Sequence, residues 1–396
     1  MTLRREAGFI PPLDGLRGVA ILMVMLHHST RFRQTTGFDG PIGSLLAFCW
    51  TGVDLFFVLS GFLITGILLD TRGGERYFIN FYARRTLRIF PLYYLVLLLA
   101  FVVLPKFPAI FAALTGQVGV PAEEQVELLA AQAEVPQWPY WLYLTNFSIA
   151  DRGWAHGLTD IGWSLAIEEQ FYLVWPLVIW LCPPRRIAWL CTGIYVAEVF
   201  ARSYARASDV AALPIYVVTW FRLDGFVIGA LLAIAQRRGI MPALDRLAPT
   251  VVMAGVAGLI TCAILGGHPW WWNRRMQQFG YSLIAVTAGA MLVSAITRPA
   301  DSVWPRILSA GWLRAFGKYS YCLYLIHVPV IRAVREYVFN PWEYEALAPF
   351  TGQMLFYAVT TAPAFALAWL SWRLFEAPIL RLKERFPYQR ASIRVD

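Results

Sequence analysis

Charge is scarce in this sequence: Asp, Glu, Lys and Arg make up 15% of its 396 residues, against 58% hydrophobic ones. Soluble domains carry roughly a quarter charged residues, so a water-exposed surface is not what this chain is built for. Cysteine is scarce as well. Cys49, Cys182, Cys191, Cys262 and Cys322 mostly lie inside apolar runs, without the close spacing of a metal site or a redox pair. No glycine-rich phosphate loop and no metal-type His/Cys cluster occurs, which disfavours nucleotidase and zinc chemistry. Ser60, in Phe57-Val58-Leu59-Ser60-Gly61-Phe62, lacks the glycine pattern of a nucleophile elbow, and Ser60 and Gly61 suit close helix packing. No period repeats and no Gly/Ser- or Pro-rich linker separates an appended domain, so one membrane unit is expected. The first apolar run carries no small-residue cleavage site, so that run is expected to remain in the mature protein. The formal charge of +9 has no basic helix or aromatic-basic RNA motif behind it. Basic cytoplasmic loops account for it without nucleic acid.

Long apolar runs are what the sequence has in abundance. Runs of about 20 residues match a hydrocarbon core of roughly 30 Å. They predict an all-α polytopic integral membrane protein with ten spans in a single bundle, near 14–34, 44–69, 87–105, 161–182, 186–202, 213–236, 248–266, 278–297, 312–333 and 350–376. Aromatic clusters such as Trp270-Trp271-Trp272 and Pro139-Tyr140-Trp141 sit at run ends, where amphipathic rings favour the headgroup zone. The basic residues fall largely on one side: Arg4, Arg5, the cluster Arg72 to Arg88, Arg185, Arg186, Arg237, Arg238, Arg246, Arg298, Arg306 and the tail from Arg381. That asymmetry predicts two cytoplasmic termini. Residues 1–380 then form the membrane domain and 381–396 a basic cytoplasmic tail. The segment 106–160, with Glu123, Glu124, Glu127 and Glu134, would face outward. Within it, Trp138 to Phe147 is too short to span and suits an interfacial or re-entrant position.

Ionisable residues inside such runs are costly, and by default mark a site facing the protein interior. The first span places Arg17 and His28 eleven residues apart, which on a helix puts them on one face about 16 Å apart, with His27 pointing elsewhere. His28 suits a general base for an acceptor hydroxyl, or a histidine that only hydrogen-bonds near the outer surface. Arg84, Arg85 and Arg88 open the third span. Arg85 and Arg88, one turn apart, suit donor phosphates or anionic lipid alike. Glu168 and Glu169 enter the fourth span after Trp163-Ser164, and one of them suits either a partner for His28 or a favourable charge at a helix start. Asp54, inside the second span, must be protonated or paired. Tyr321, Tyr324 and His327 recur every third residue, as an interior face or as packing. Trp154, His156 and Asp160 stand where outer-loop chemistry would choose an acceptor.

Taken in order, Arg17 with His28, Phe56-Phe57-Val58-Leu59-Ser60-Gly61-Phe62, Arg85-Thr86-Leu87-Arg88, and Trp163-Ser164 through Glu168-Glu169-Gln170-Phe171-Tyr172 resemble the bacterial membrane acyltransferase family 3. Tyr319 through His327 and Phe375-Glu376-Ala377-Pro378 resemble its carboxyl-terminal signature, so the likeness covers nearly the whole chain. The resemblance implies an O-acyltransferase of the inner (plasma) membrane. It would move an acyl group, commonly acetyl, from cytoplasmic acyl-CoA to a glycan or glycoconjugate hydroxyl, without a metal. It implies His28 and Arg17 as the catalytic pair and Arg85 and Arg88 as donor-binding residues; read from the residues, Glu168 or Glu169 in support of His28 and Arg84 beside the other arginines complete the candidate set. Asp54, Trp163, Tyr324 and His327 are the candidate substrate-binding residues. Many family members carry an extracytoplasmic esterase-like domain after the membrane unit, and this chain reads as a stand-alone version.

The rival reading is a proton-coupled transporter or flippase for a saccharide or lipid-linked substrate, since Asp54, Asp224 and His327 also suit proton coupling. The lack of an internal pseudo-repeat counts against it. A non-catalytic saccharide sensor would tolerate loss of His28.

Overall fold

The computed structural model describes residues 10–30, 43, 45–107, 110–111, 114, 135–155, 157–338 and 349–388. Glu123, Glu124, Glu127, Glu134, His156 and the basic ends at Arg4, Arg5, Arg390 and Arg394 lie outside the described residues. Among the described residues every regular element is a helix. The main ones are α1 (Pro11–Ser29), α2 (Gly52–Thr71), α3 (Tyr77–Leu98), α4 (Thr145–Arg152), α5 (Gly162–Leu181), α6 (Pro184–Ala207), α7 (Asp224–Arg237), α8 (Met241–Gly266), α9 (Tyr281–Thr297), α10 (Gly311–Tyr337) and α11 (Pro349–Ser371).

Five helical stretches are long and apolar enough to cross a membrane: Leu45–Thr71, Tyr77–Lys106, Met241–Gly266, Met276–Thr297 and Thr351–Arg385. The other predicted spans also overlap helices, but α1, α5, α6 and α10 carry charged residues and α7 has only 14 residues. Surface and interior are chemically inverted relative to a soluble protein. Leu173, Trp189, Phe200, Ile264 and Leu374 point outward, whereas Asp54, Arg202, Arg222, Asp224 and His327 are sealed inside. Lipid tolerates the first group and expels the second into the bundle. The chain is a multi-pass membrane protein.

The predicted sixth span is not one helix. It divides into Ala212–Val217, a short 3-10 turn at Thr219–Phe221, and α7. Backbone groups released at such a break must find partners within the protein. Arg202 Nη1 donates to Phe221 O at 2.7 Å, Glu198 accepts from Leu223 N at 2.6 Å, and Gln170 and Asn146 hold the Thr219 hydroxyl. The segment from Trp138 forms two short helices, Trp138–Trp141 and α4, which bury Pro139, Tyr140, Thr145, Asn146 and Ile149 and leave Trp138 exposed. Tyr93 and Tyr94 donate to the carbonyls of Tyr140 and Trp141, and Gln170 donates to Tyr143 O at 2.9 Å. Between α5 and α6, Arg72 caps the carbonyls of Trp180 and Cys182, and Pro184 opens the next helix.

Two close helix pairs position the site. α1 lies along α10, and α2 along α7. At the first crossing a side chain on Gly317 would collide with the Asp14 carbonyl oxygen; at the second, one on Gly61 would collide with the Phe226 carbonyl. The α2/α7 approach brings Asp54 to Arg222, 168 residues away in sequence, at 2.6 Å. Asp54 is therefore a buried partner of Arg222, whose guanidinium lies over the rings of Tyr281 and Tyr216 at 4.3 and 4.9 Å. It lines neither cavity described below, although the sequence placed it among the candidate substrate-binding residues. Arg202 extends the charged cluster to Asp224 at 3.1 Å and Glu198 at 3.6 Å.

Removing one member of a buried pair leaves the other charge uncompensated. Asp54→Leu is expected to destabilise the detergent-solubilised protein by about 3–5 kcal/mol, and adding Arg222→Met to restore most of it. Thermal unfolding of the two variants beside wild type checks this. An unchanged midpoint for Asp54→Leu would mean that the pair contributes nothing to the fold.

Candidate active site

Arg17 and His28 sit at opposite ends of α1, and each lines a different cavity. The first, about 140 Å³, is lined by Arg17, Ser60, Arg85, Arg88, Glu168 and Tyr172 among others. The second, about 420 Å³, is lined by His27, His28, Trp50, Trp154, Asp160, Trp163, Tyr216, Trp271 and Arg332 among others. Val53 and Tyr324 line both. The helical period had turned His27 away from His28, yet both border the same space, their ring centroids 5.0 Å apart.

The smaller cavity is a pocket of cations. Arg85 and Arg88, one turn apart on α3, both line it. No hydrogen bond or ion pair to a described residue holds the Arg85 guanidinium, its Nε is buried without a partner among the described residues, and it lies between the rings of Phe81 and Tyr172. A buried donor left open this way suits an anionic ligand. Arg88 faces Glu376 at 3.7 Å and lies over the rings of Tyr321 and Trp372. Glu376 closes a π-helical turn, Trp372–Glu376, a widening that re-aims side chains at the end of a long helix. Arg17 pairs with Asp14 at 3.0 Å. Lys383 stands near Arg84, Arg85 and Arg88 but does not line the cavity.

Arg84 departs from its expected role. Its guanidinium donates to the carbonyls of Lys383 and Phe386 and lies over the Tyr388 ring, so it pins the carboxyl-terminal segment and does not line the cavity. On the helical wheel Arg88 lies between Arg84 and Arg85, which leaves Arg84 at the edge of that face.

Glu168 also departs. Ser60 Oγ donates to its Oε1 at 3.3 Å and Tyr172 OH donates to its Oε2 at 2.9 Å, the two hydroxyls 3.0 Å apart. Its charged neighbours are Arg85 and Arg17. The structure thus gives the glutamate to the arginine cavity and gives His28 a different partner. Ser60, expected only to pack, is part of this group. Glu169 points away, with Oε1 buried and without a hydrogen-bond partner among the described residues, and Arg85, Tyr94, Tyr143 and Tyr321 in its electrostatic surroundings.

In the larger cavity His28 meets His327. His327 Nε2 stands 3.3 Å from His28 Nδ1, and Val24 O stands 2.9 Å from the same nitrogen. Backbone carbonyls only accept, and two of them, Leu323 O and Tyr324 O, meet His327 Nδ1 at 3.1 and 2.7 Å. His327 Nδ1 therefore carries a proton and its Nε2 accepts, so His28 Nδ1 carries its proton and Nε2 is the basic nitrogen. That tautomer is inferred from hydrogen-bond partners. His327 is fully buried and lines neither cavity: it meets the imidazole of His28 and has no exposure of its own. Trp163 does line the larger cavity, edge-on to Phe57 and 4.7 Å from the Tyr216 ring, which itself stacks on Trp271 at 4.4 Å. Asp160 accepts from Tyr140 OH at 2.7 Å and from Gly157 N at 2.8 Å.

Several members of the site carried no local sign in the sequence. Tyr216 and Trp271 arrive from the broken span and from a loop. Tyr172 stood in the sequence only as the last residue of the Trp163-to-Tyr172 motif, with no role of its own.

The family profile described as an acyltransferase domain matches residues 10–373. Among curated proteins, the chain is 27% identical over 389 residues to the peptidoglycan O-acetyltransferase OatA of Listeria monocytogenes, covering 96% of this chain and 57% of that protein. It is 26% identical over 389 residues to the O-acetyltransferase OatA of Staphylococcus aureus strain NCTC 8325, covering 94% of this chain and 57% of that protein. The chain therefore spans little more than half the length of these curated relatives. No solved structure matches it. With the family profile running from the start of α1 through α11, the chain belongs to the membrane acyltransferase family 3.

Proposed function

We propose that this chain is an O-acetyltransferase of the bacterial plasma membrane that moves acetyl from cytoplasmic acetyl-CoA to a hydroxyl of a cell-wall glycan. The observation that carries the reading is the stacking of two chemically different cavities along α1, an arginine-lined one and a histidine-lined aromatic one, meeting at Val53 and Tyr324. In this reading ten spans cross the bilayer with both termini cytoplasmic, so the arginine cavity opens to the cytoplasm and the His28 cavity to the outside.

The donor's phosphates lie on Arg85 and Arg88, whose forks and charge suit phosphate oxygens. Arg17 guards the same cavity. Glu168, with Ser60 and Tyr172, keeps the arginine group in place by opposing its charge. The acceptor sugar lies among Trp163, Tyr216 and Trp271, whose flat faces suit the apolar side of a pyranose ring. His28 Nε2 takes the proton of the attacking hydroxyl as its oxygen bonds to the thioester carbonyl carbon. The carbon–sulfur bond then breaks, and the departing thiolate takes that proton from the imidazolium. His327 holds the imidazole in the tautomer this requires. The relatives' names include peptidoglycan, which makes muramoyl and glucosaminyl hydroxyls the first acceptors to try.

The test is transfer of radiolabelled acetyl from acetyl-CoA to peptidoglycan fragments, with purified protein in lipid vesicles and donor supplied inside or outside. Label is expected in the glycan only when donor and acceptor occupy opposite compartments. No label with any acceptor would overturn the reading, and equal transfer with both reactants on one side would overturn its topology.

A further inference from the structure

The two cavities share two lining residues, Val53 and Tyr324, and the tyrosine is the larger of the two. Tyr324, on α10, is buried and borders both spaces. Its hydroxyl donates to Ile161 O at 3.0 Å and meets Ser164 Oγ at 2.5 Å. Because the carbonyl takes the tyrosine's proton, Ser164 is the donor in the second bond. Ser164 borders the arginine cavity and Ile161 the histidine cavity, so the tyrosine is fastened on both sides of the wall it forms. The other shared residue, Val53, has no polar tie to break.

We infer that Tyr324 is the gate between donor and acceptor, latched shut by Ser164 and the Ile161 carbonyl. This rests on the proposed two-cavity acetyl transfer and adds how the transfer is protected. A thioester in the arginine cavity cannot reach His28 while Tyr324 stands between them. Water in the acceptor cavity, beside the basic His28, is kept from the thioester by the same ring. Rotation of the side chain breaks two hydrogen bonds and joins the cavities, and acceptor filling the aromatic cavity excludes water while the passage is open. Tyr324 acts by positioning and exclusion, and no bond to it forms in the reaction.

Without the gate, water replaces the sugar hydroxyl. Its oxygen bonds to the thioester carbonyl, the carbon–sulfur bond breaks, and acetate and free coenzyme A thiol are released. The experiment measures thiol release from acetyl-CoA by protein in vesicles, with and without peptidoglycan fragments, for wild type, Tyr324→Ala, Tyr324→Phe and Ser164→Ala. Wild type is expected to release thiol only with acceptor. Tyr324→Ala should release it without acceptor, at least about tenfold above wild type, and Tyr324→Phe and Ser164→Ala, which loosen the latch but keep a ring in place, at intermediate rates. The Phe and Ser variants keep the packing and stand in if the Ala variant fails to fold. Variants that transfer with acceptor but release no more thiol than wild type without it would overturn the gate. A wild type that releases no thiol even with acceptor would instead overturn the donor reading, and the gate with it.

Discussion

His28→Ala is expected to lower acetyl transfer by about 10²–10⁴-fold while acetyl-CoA still binds with wild-type affinity, because general-base catalysis contributes on that scale and the proposed reading puts the donor's phosphates on the arginines of the other cavity. The reason is local. His28 stands at the carboxyl-terminal end of α1 and lines the larger cavity, with Nδ1 facing Val24 O and His327 Nε2. Arg17, which lines the donor cavity, is three turns away on the same helix, so the two halves of the site should respond separately to substitution. The measurement is initial rate of labelled transfer beside equilibrium binding of labelled acetyl-CoA to the same vesicles. Equal rates for variant and wild type would make His28 structural. Weakened donor binding would show that the two cavities are not independent. His327→Ala should act more mildly and differently, since it removes the group that holds the tautomer; its signature is a changed pH profile with donor binding intact.

How much of this could be read in the chain depends on distance along it. The placement of Arg17 and His28 along one face of α1 follows from helix geometry alone, because an eleven-residue separation nearly closes whole turns. Arg85 and Arg88 share their cavity for the same reason. Contacts between helices were not legible. Nothing local to Asp54 announces Arg222, and the charge's burial says only that a partner must exist. The two glutamates looked like candidate supports for His28, yet the register of α5 against α2 gives Glu168 to Ser60 and Tyr172. His327 was visible as part of a three-residue stripe, and the crossing of α10 with α1, made close by Gly317, decides that it meets His28. The sixth span misled for a different reason. Hydropathy registers apolar content and is blind to a break whose backbone groups are satisfied by Arg202 and Glu198 from elsewhere in the bundle.

Arg85→Ala is expected to raise the KM for acetyl-CoA by about 10–150-fold with kcat little changed, the range that corresponds to losing a charged hydrogen-bonding partner of roughly 1.5–3 kcal/mol. Arg85 is the arginine of the cavity with a buried Nε open among the described residues, while the rings of Phe81 and Tyr172 already hold its plane. Its loss should therefore cost binding and little stability. Arg85→Lys keeps the charge and loses the fork, so it should recover only part of the KM. Arg88 is different in a way that separates binding from folding. It faces Glu376, whose carboxylate is nearly buried, so Arg88→Ala should weaken donor binding and also destabilise the protein by leaving that carboxylate uncompensated. Adding Glu376→Gln to Arg88→Ala should then restore the melting temperature without restoring KM. Steady-state kinetics over a range of acetyl-CoA concentrations, beside thermal unfolding of the same four variants, decides it. If Arg85→Ala instead lowers kcat at unchanged KM, the arginine turn acts on the reacting end of the donor and not on its phosphates. If neither constant moves, the arginines serve the lipid headgroups.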